Sequence, residues 1–445
     1  MNKMFYLLNI SVSGIKCIKE EVRLDFYKKT VDKNFNPERY RVKAIYGENG
    51  TGKSSLVTAV KIFQDLIYNE NYLNESKTQE FLDEMVNKTS NLFEVKMEFL
   101  SNRNKQKIVY QYVVKISRGN TGLFEISYEG LKEKNGSYAN NNYQPVFESR
   151  NGELKFIAVT EKKEADWIEK KTLNLLSNHS FIYLYLTNRA KNVALRKGYD
   201  NKLFISVFAC VLLVLNIKVY LAEEDQHELF FLRKKLKESR LDHQVFVNDF
   251  LEYGNSLNEI LGVNEKFVDK KSFVKYKERV GQLTQFIKIF KPGLISIDID
   301  AKEDGERYVC DLNLNYGSYV INKEFESTGI KKLIRLFDCF VAASRGAIVF
   351  VDEMDANLND VYLCKLIEYF MYYGEGQLCF TTHNIGPMSA LKDNKNSIDF
   401  LSSDNHLIPW TSRGNATPEN CYRNGMIEDL PFNIEASDFV GILGE

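Results

Sequence analysis

The sequence predicts an α/β fold in which both ends of the chain form one head, with an antiparallel β lobe and a helical insertion between them. Three observations carry this reading. Near the N-terminus a strand, a glycine-rich loop and a helix follow one another within residues 41–68. From about residue 92 short alternating strands with Gly and Asn turns take over, and from about 163 helical spacing replaces them. Past residue 290 strands return, and the apolar run Ala347–Val351 has the composition of a strand covered on both faces.

A chain of 445 residues exceeds one typical domain, so two domains or one head with a large insertion are expected. With 44% hydrophobic and 27% charged residues it holds too much apolar material for extensive disorder. The formal net charge of −1 advertises no polyanionic partner, although a local basic face stays open. Seven cysteines, none in a C-x-x-C pair and several inside apolar runs, fit buried thiols in a reducing cytoplasm. The start MNKMFYLLNISVSG lacks the pattern of a secretory signal. Leu203–Leu215 is the most apolar stretch, yet it is shorter than the roughly 20 residues a membrane span needs. A buried helix is expected there, and no membrane partner.

Along the chain, Phe5–Val12 and Glu21–Phe26 alternate around a turn at Ser13-Gly14, the pattern of a β-hairpin. Arg41–Tyr46 reads as a strand, and Leu56–Tyr68, with Leu56, Val60, Phe63 and Ile67 on one face, as a helix. Phe93–Phe99, Ile108–Ile116 and Leu123–Tyr128 are the lobe strands. Residues 163–290 read mostly as helices, including the charged run Glu223–Arg240, without heptads sustained enough for a coiled-coil arm. Leu294–Ile299 and Tyr308–Leu314 are strands, Gly329–Ala343 a helix, Ala347–Val351 a buried strand and Gln377–Phe380 the last conspicuous strand. The expected division is 1–162 for the N-terminal part of the head with the lobe, 163–290 for the insertion and 291–445 for the C-terminal part.

Gly47-Glu48-Asn49-Gly50-Thr51-Gly52-Lys53-Ser54 fits G-x-x-x-x-G-K-[ST] at every position and lies between the predicted strand and helix, where that motif must sit. Glycines let the loop wrap so that backbone N–H groups face a phosphate, and the helix adds its positive N-terminal end. Lys53 offers a point charge to the β- and γ-phosphates of ATP, and the Ser54 hydroxyl offers a ligand to Mg²⁺. Gly47, Asn49, Gly50, Gly52, Lys53, Ser54 and Ser55 are the candidate nucleotide-binding residues of this segment.

The run ending in Asp352-Glu353 would deliver two acids to the C-terminal end of a strand. Asp352 is the candidate Mg²⁺ ligand and Glu353 the candidate that polarises the attacking water. Alone, such a run is common on ordinary strands. His383, just past Leu378-Cys379-Phe380, is placed to hydrogen-bond a γ-phosphate, although a single histidine is more often structural. Ser327 and Gly329 precede a predicted helix and could form an anion site; the plain alternative is an N-cap.

The order of these pieces, with Asp355 and Leu358 between the acids and the histidine, resembles that of ABC-type ATPase heads. The resemblance implies that Ser327 and Gly329 act as a signature motif on the nucleotide of a second copy, that Asp355 belongs to the D-loop, and that His383 is the switch histidine. A homodimer or higher homo-oligomer sandwiching ATP follows as an expectation. The signature departs from the transporter form Leu-Ser-Gly-Gly-Gln, and no Q-loop glutamine stands out beyond Gln111.

About 300 residues separate Lys53 from Asp352, far more than a simple βαβ connection requires. This looks like the prokaryotic AAA_15/AAA_21 ATPases, relatives of the overcoming-lysogenization-defect proteins and of chromosome-maintenance (SMC-like) heads. The tail segments Tyr422–Ile427 and Pro431–Ile434 resemble the ends of such proteins. Many of them act in anti-phage defence, including ATPase subunits of PARIS, which implies an effector partner, a nuclease or toxin. About 60 residues follow His383, too few for an appended Toprim nuclease, and Asp298-Ile299-Asp300 reads as acids on an exposed strand. A DNA-binding repair or maintenance head is the rival, with Lys235, Lys237, Lys270, Lys271, Lys275 and Lys277 as candidate phosphate contacts. A transporter subunit ranks last.

Overall fold

A computed structural model of the chain describes residues 5–103, 106–138, 141–191, 202–221, 262–264, 267–394, 396–411, 416–427 and 442. The run Glu223–Arg240, with Lys235 and Lys237, and the tail segment Pro431–Ile434 lie outside the described residues.

Strands β1 (Phe5–Ser13), β2 (Val22–Asp25), β4 (Leu92–Arg103), β5 (Gln106–Arg118), β6 (Phe124–Asn135), β7 (Gln144–Arg150) and β8 (Glu153–Ile157) form an antiparallel sheet in the order β2-β1-β4-β5-β6-β7-β8. The expected hairpin is β1 with β2, and the expected lobe is the rest. Period-two patterning decides which face is covered: Phe93, Val95, Met97 and Phe99 are buried while Glu94, Lys96 and Glu98 between them are half-exposed. Gln111, in the middle of β5, spends its amide on Glu98 Oε1 at 2.9 Å.

Strands β3 (Val42–Tyr46), β9 (Ile217–Tyr220), β14 (Ile348–Val351), β15 (Gln377–Thr381), β16 (Ile398–Leu401) and β17 (Leu407–Pro409) form the central sheet, ordered β17-β16-β3-β15-β14-β9. All its pairings are parallel except that of β17. Its inner strands are buried throughout, as a sheet covered on both faces requires. Alternation along them divides the interior: Val42, Ala44, Tyr46, Val349 and Val351 enter one core, while Ile45, Ile348 and Phe350 enter the other, shared with the lobe. A third sheet of β10 (Phe267–Asp269), β11 (Ser296–Asp304), β12 (Arg307–Asn315) and β13 (Val320–Asn322) has its own core. On β11, Asp298 and Asp300 both face outward, as the alternation predicted.

Ten α-helices are described: α1 (Lys53–Tyr68), α2 (Ser76–Met85), α3 (Lys162–Thr172), α4 (Phe181–Lys191), α5 (Lys202–Asn216), α6 (Phe273–Phe290), α7 (Thr328–Ser344), α8 (Asp360–Tyr372), α9 (Gly386–Leu391) and α10 (Pro418–Arg423). The apolar stretch noted above is α5, which packs in the same core as α1. No described helix is long and apolar enough to cross a membrane. Residues 163–290, read as helices, also supply two strands, the edge strand β9, parallel to β14, and β10, antiparallel to β12. The four residues of β9 leave too little periodicity to distinguish a strand from the end of the apolar helix before it.

One buried polar contact ties two of these layers together, and another links neighbouring strands of the central sheet. Gln377 at the start of β15 accepts the Leu7 N–H at 2.7 Å and donates to the Leu7 carbonyl at 2.9 Å, so it joins the central sheet to β1 as a strand residue would. Lys43 of β3 pairs with Asp399 of β16 at 2.7 Å, with both side chains at most 5% exposed. Replacing Lys43 with Met leaves the Asp399 carboxylate buried without its counter-charge, and the expected loss of stability is about 3–5 kcal/mol. Urea unfolding of the variant measures this; a loss below about 1 kcal/mol would show that Asp399 finds another partner or becomes protonated at little cost.

Candidate functional site

The strand order brings the ends of β3, β15 and β14 side by side at one edge of the central sheet. Each end continues into a sequence-predicted segment: β3 into the Gly47–Lys53 loop, β15 into Thr382-His383, and β14 into Asp352-Glu353. Open α/β sheets bind ligands at this C-terminal edge because strand ends deliver side chains there and helix N-termini follow.

The loop must turn sharply out of β3 and start α1 at once. Gly52 makes that turn with φ of 103° as the residue preceding the helix, and a Cβ there would fall 2.7 Å from Ile18 Cγ1. Three contacts from distant parts of the chain brace the loop. Cys17 Sγ donates to the Gly50 carbonyl at 3.1 Å, Asn405 Nδ2 donates to the Thr51 carbonyl at 3.2 Å, and the Tyr422 side chain of α10 hydrogen-bonds the Gly47 backbone. Asn49 and Gly50 are exposed at the rim, Ser54 is half-buried and Ser55 is buried.

Lys53 lies folded under the loop. Its Nζ donates to the Gly47 carbonyl at 2.8 Å and the Glu48 carbonyl at 2.7 Å. Burial pushes the ammonium down to about 8, against the opposing pull of Asp352, Glu353, Asp355 and Glu48. An added phosphate would supply the negative charge that favours the cation.

Asp352 is 1% exposed and accepts a hydrogen bond from Thr381 Oγ1 at 2.6 Å. Glu353, the next residue, has φ of 47°, in the left-handed region. That conformation costs a non-glycine residue about 1–3 kcal/mol. It turns the chain into the Asp355–Leu358 segment, where Asp355 Oδ1 is buried with no hydrogen-bond partner among the described residues. His383 is exposed beyond β15. Partial loss of hydration around its ring and the Lys53 cation hold its imidazole below the usual range, although Asp355, Glu353 and Asp352 oppose this, so it is neutral at neutral pH.

Ser327 is exposed and immediately precedes α7, but its hydroxyl makes no capping bond; its own N–H donates to Glu326 Oε2 at 2.9 Å. Gly329 sits against the Asp355–Leu358 segment so closely that a Cβ would lie 2.5 Å from the Asn357 carbonyl oxygen. The structure thus gathers Lys53, Asp352, Glu353, Asp355 and His383 into one charge-coupled group, with Ser327 on the rim of an adjoining turn.

Sequence reading assigned no role to Thr381, Asn405, Cys17 or Lys332. Lys332 is 8% exposed and donates to the Glu353 carbonyl. Nothing in the sequence distinguishes Lys332 from its neighbour Lys331; only its burial does. Of the basic residues considered for nucleic acid, Lys270 pairs with Glu303 at 3.2 Å and Lys277 lies over the Phe273 ring at 4.7 Å.

Mg²⁺ fits the donor set. Ser54 and Asp352 are oxygen donors, as Mg²⁺ prefers when it shares a nucleotide's phosphates, and among the described residues no three His, Cys, Asp or Glu side chains form a cage of their own.

No protein-family model matches the sequence, and no curated protein matches it. Among solved structures, the recombination mediator protein RecF of the RecFOR pathway, in its RecF-ATPrS form, aligns over 92% of this chain and 99% of its own at 13% identity and a TM-score of 0.38. The RecF-ATP form aligns over the same shares, 92% and 99%, at 15% identity and a TM-score of 0.31. Scores this low assign neither fold nor function to this chain.

Proposed function

We propose that this chain is an ATPase of the ABC type, binding ATP with Mg²⁺ at the Gly47–Ser55 segment and hydrolysing it within a pair of heads. The observation that carries this is the convergence of a glycine loop with its lysine, two acids and a neutral histidine at three neighbouring strand ends. Head halves at 1–162 and 291–445 flank the 163–290 segment in this reading.

Gly47, Asn49, Gly50, Gly52 and Ser55 wrap the phosphates with backbone N–H groups. Lys53 leaves the carbonyls of Gly47 and Glu48 for the β- and γ-phosphate oxygens. Ser54 and Asp352 would hold Mg²⁺, which supplies charge neutralisation between the phosphates. Glu353 accepts the proton of the attacking water, and neutral His383 donates a hydrogen bond to the γ-phosphate. Ser327, its hydroxyl uncommitted, and Gly329 meet the nucleotide on a second copy, with Asp355 at the seam. On the resemblance of its motifs, the pair controls a partner effector, a nuclease or toxin of an anti-phage system.

Turnover per chain should rise with protein concentration and then level off, because a lone head lacks Ser327 of its neighbour. Phosphate release measured across a dilution series, with light scattering at each point, tests this. A constant rate from a monomer removes the shared site.

A further inference from the structure

Glu353 is held in place by two side chains from outside its own strand. Thr381 Oγ1 of β15 accepts the Glu353 N–H at 2.7 Å while donating to Asp352 Oδ1 at 2.6 Å. Lys332 Nζ of α7 donates to the Glu353 carbonyl. The peptide units on either side of a left-handed residue are therefore each pinned, one by β15 and one by α7. Lys332 belongs to the first turns of the helix that Ser327 precedes. In the same stretch Gly329 is pressed on the Asn357 carbonyl. The start of α7 thus grips both ends of the Glu353–Asn357 turn, and neither grip leaves slack: one is a hydrogen bond and the other a contact with no room for a methyl group.

We infer that Lys332 is a positioning residue that sets the backbone of Glu353 and makes its placement depend on the Ser327 turn of the same chain. This rests on the function proposed above. A phosphate bound at Ser327 displaces the start of α7, and Lys332 carries that displacement to the Glu353 carbonyl. Closure on the neighbour's nucleotide thereby adjusts the acid that acts on the chain's own nucleotide, so the two sites of a pair fire together. Thr381 secures Glu353 from the other side, and its hydroxyl bonds only Glu353 and Asp352 among the described residues, so its loss should slow chemistry without uncoupling the sites.

The test compares Lys332→Met and Thr381→Val in the full-length chain, measuring kcat, the Hill coefficient for ATP, and the Kd of a fluorescent ATP analogue. Lys332→Met should lower kcat by about 10- to 100-fold, leave Kd within about twofold, and bring a Hill coefficient above about 1 down to about 1. Thr381→Val should lower kcat while keeping the wild-type Hill coefficient. An unchanged kcat in folded Lys332→Met overturns the inference, as does a loss of affinity that accounts for the whole effect. Should Lys332→Met not fold, Lys332→Gln replaces it: its neutral chain is one atom shorter and forgoes the ammonium that meets the Glu353 carbonyl, so wild-type kcat and cooperativity overturn the inference and loss of both supports it. A wild-type chain that neither binds nor hydrolyses ATP fails the earlier reading instead, and is told apart by that.

Discussion

Replacing Lys53 with Ala should reduce ATP turnover by on the order of 100- to 1,000-fold and weaken nucleotide binding as well. Lys53 is the only basic residue of the Gly47–Ser55 segment. Its ammonium already lies beneath the loop, within 2.8 Å of two carbonyl oxygens that a phosphate oxygen would replace. Burial lowers it to about 8, which still leaves it mostly charged at neutral pH, and the nucleotide's negative charge favours that cation further. The alanine variant loses both the cation and the two braces on the loop. Phosphate release and equilibrium binding of a labelled nucleotide read the two effects separately; a variant that turns over at the wild-type rate means the loop is not the site of chemistry.

Glu353→Gln is expected to act differently, because the side chain keeps its shape and loses only its capacity to take a proton. Turnover should fall by about 100- to 10,000-fold while affinity for ATP is kept, and the paired form should accumulate when ATP is added. The left-handed backbone at Glu353 is pinned by Thr381 and Lys332 through main-chain atoms, which glutamine retains. Size-exclusion chromatography with light scattering follows the pairing. A glutamine variant with unaltered kcat would falsify the assignment of Glu353 as the proton acceptor. Purified from its native host, the trapped pair should bring down a second protein; recovery of this chain by itself counts against effector control.

Much of the local structure was legible in the residues. The alternation of Phe93, Val95, Met97 and Phe99 specifies a half-covered strand, and the spacing of Leu56, Val60, Phe63 and Ile67 specifies a helix, although the structure buries α1 on nearly every side rather than on that face alone. The Gly47–Lys53 loop before α1 was readable because its chemistry demands particular residue types: glycine where the backbone must reverse, and lysine where a phosphate must be met. Strand β9 was not readable, since Ile217–Tyr220 follows the apolar stretch of α5 after the single residue Asn216 and is too short for its alternation to stand out.

By itself, then, the sequence determined the periodic elements, the phosphate-type loop and the identities of the acids and histidine that follow later strands. Only the tertiary structure decided that β3, β15 and β14 are neighbours, so that residues roughly 300 positions apart share one edge. It also decided that Lys332 and Thr381 hold Glu353. The physical reason is that strand order follows from which apolar faces are buried against which, a long-range property. A side chain's bond to a main-chain carbonyl leaves no spacing or composition by which it can be found beforehand.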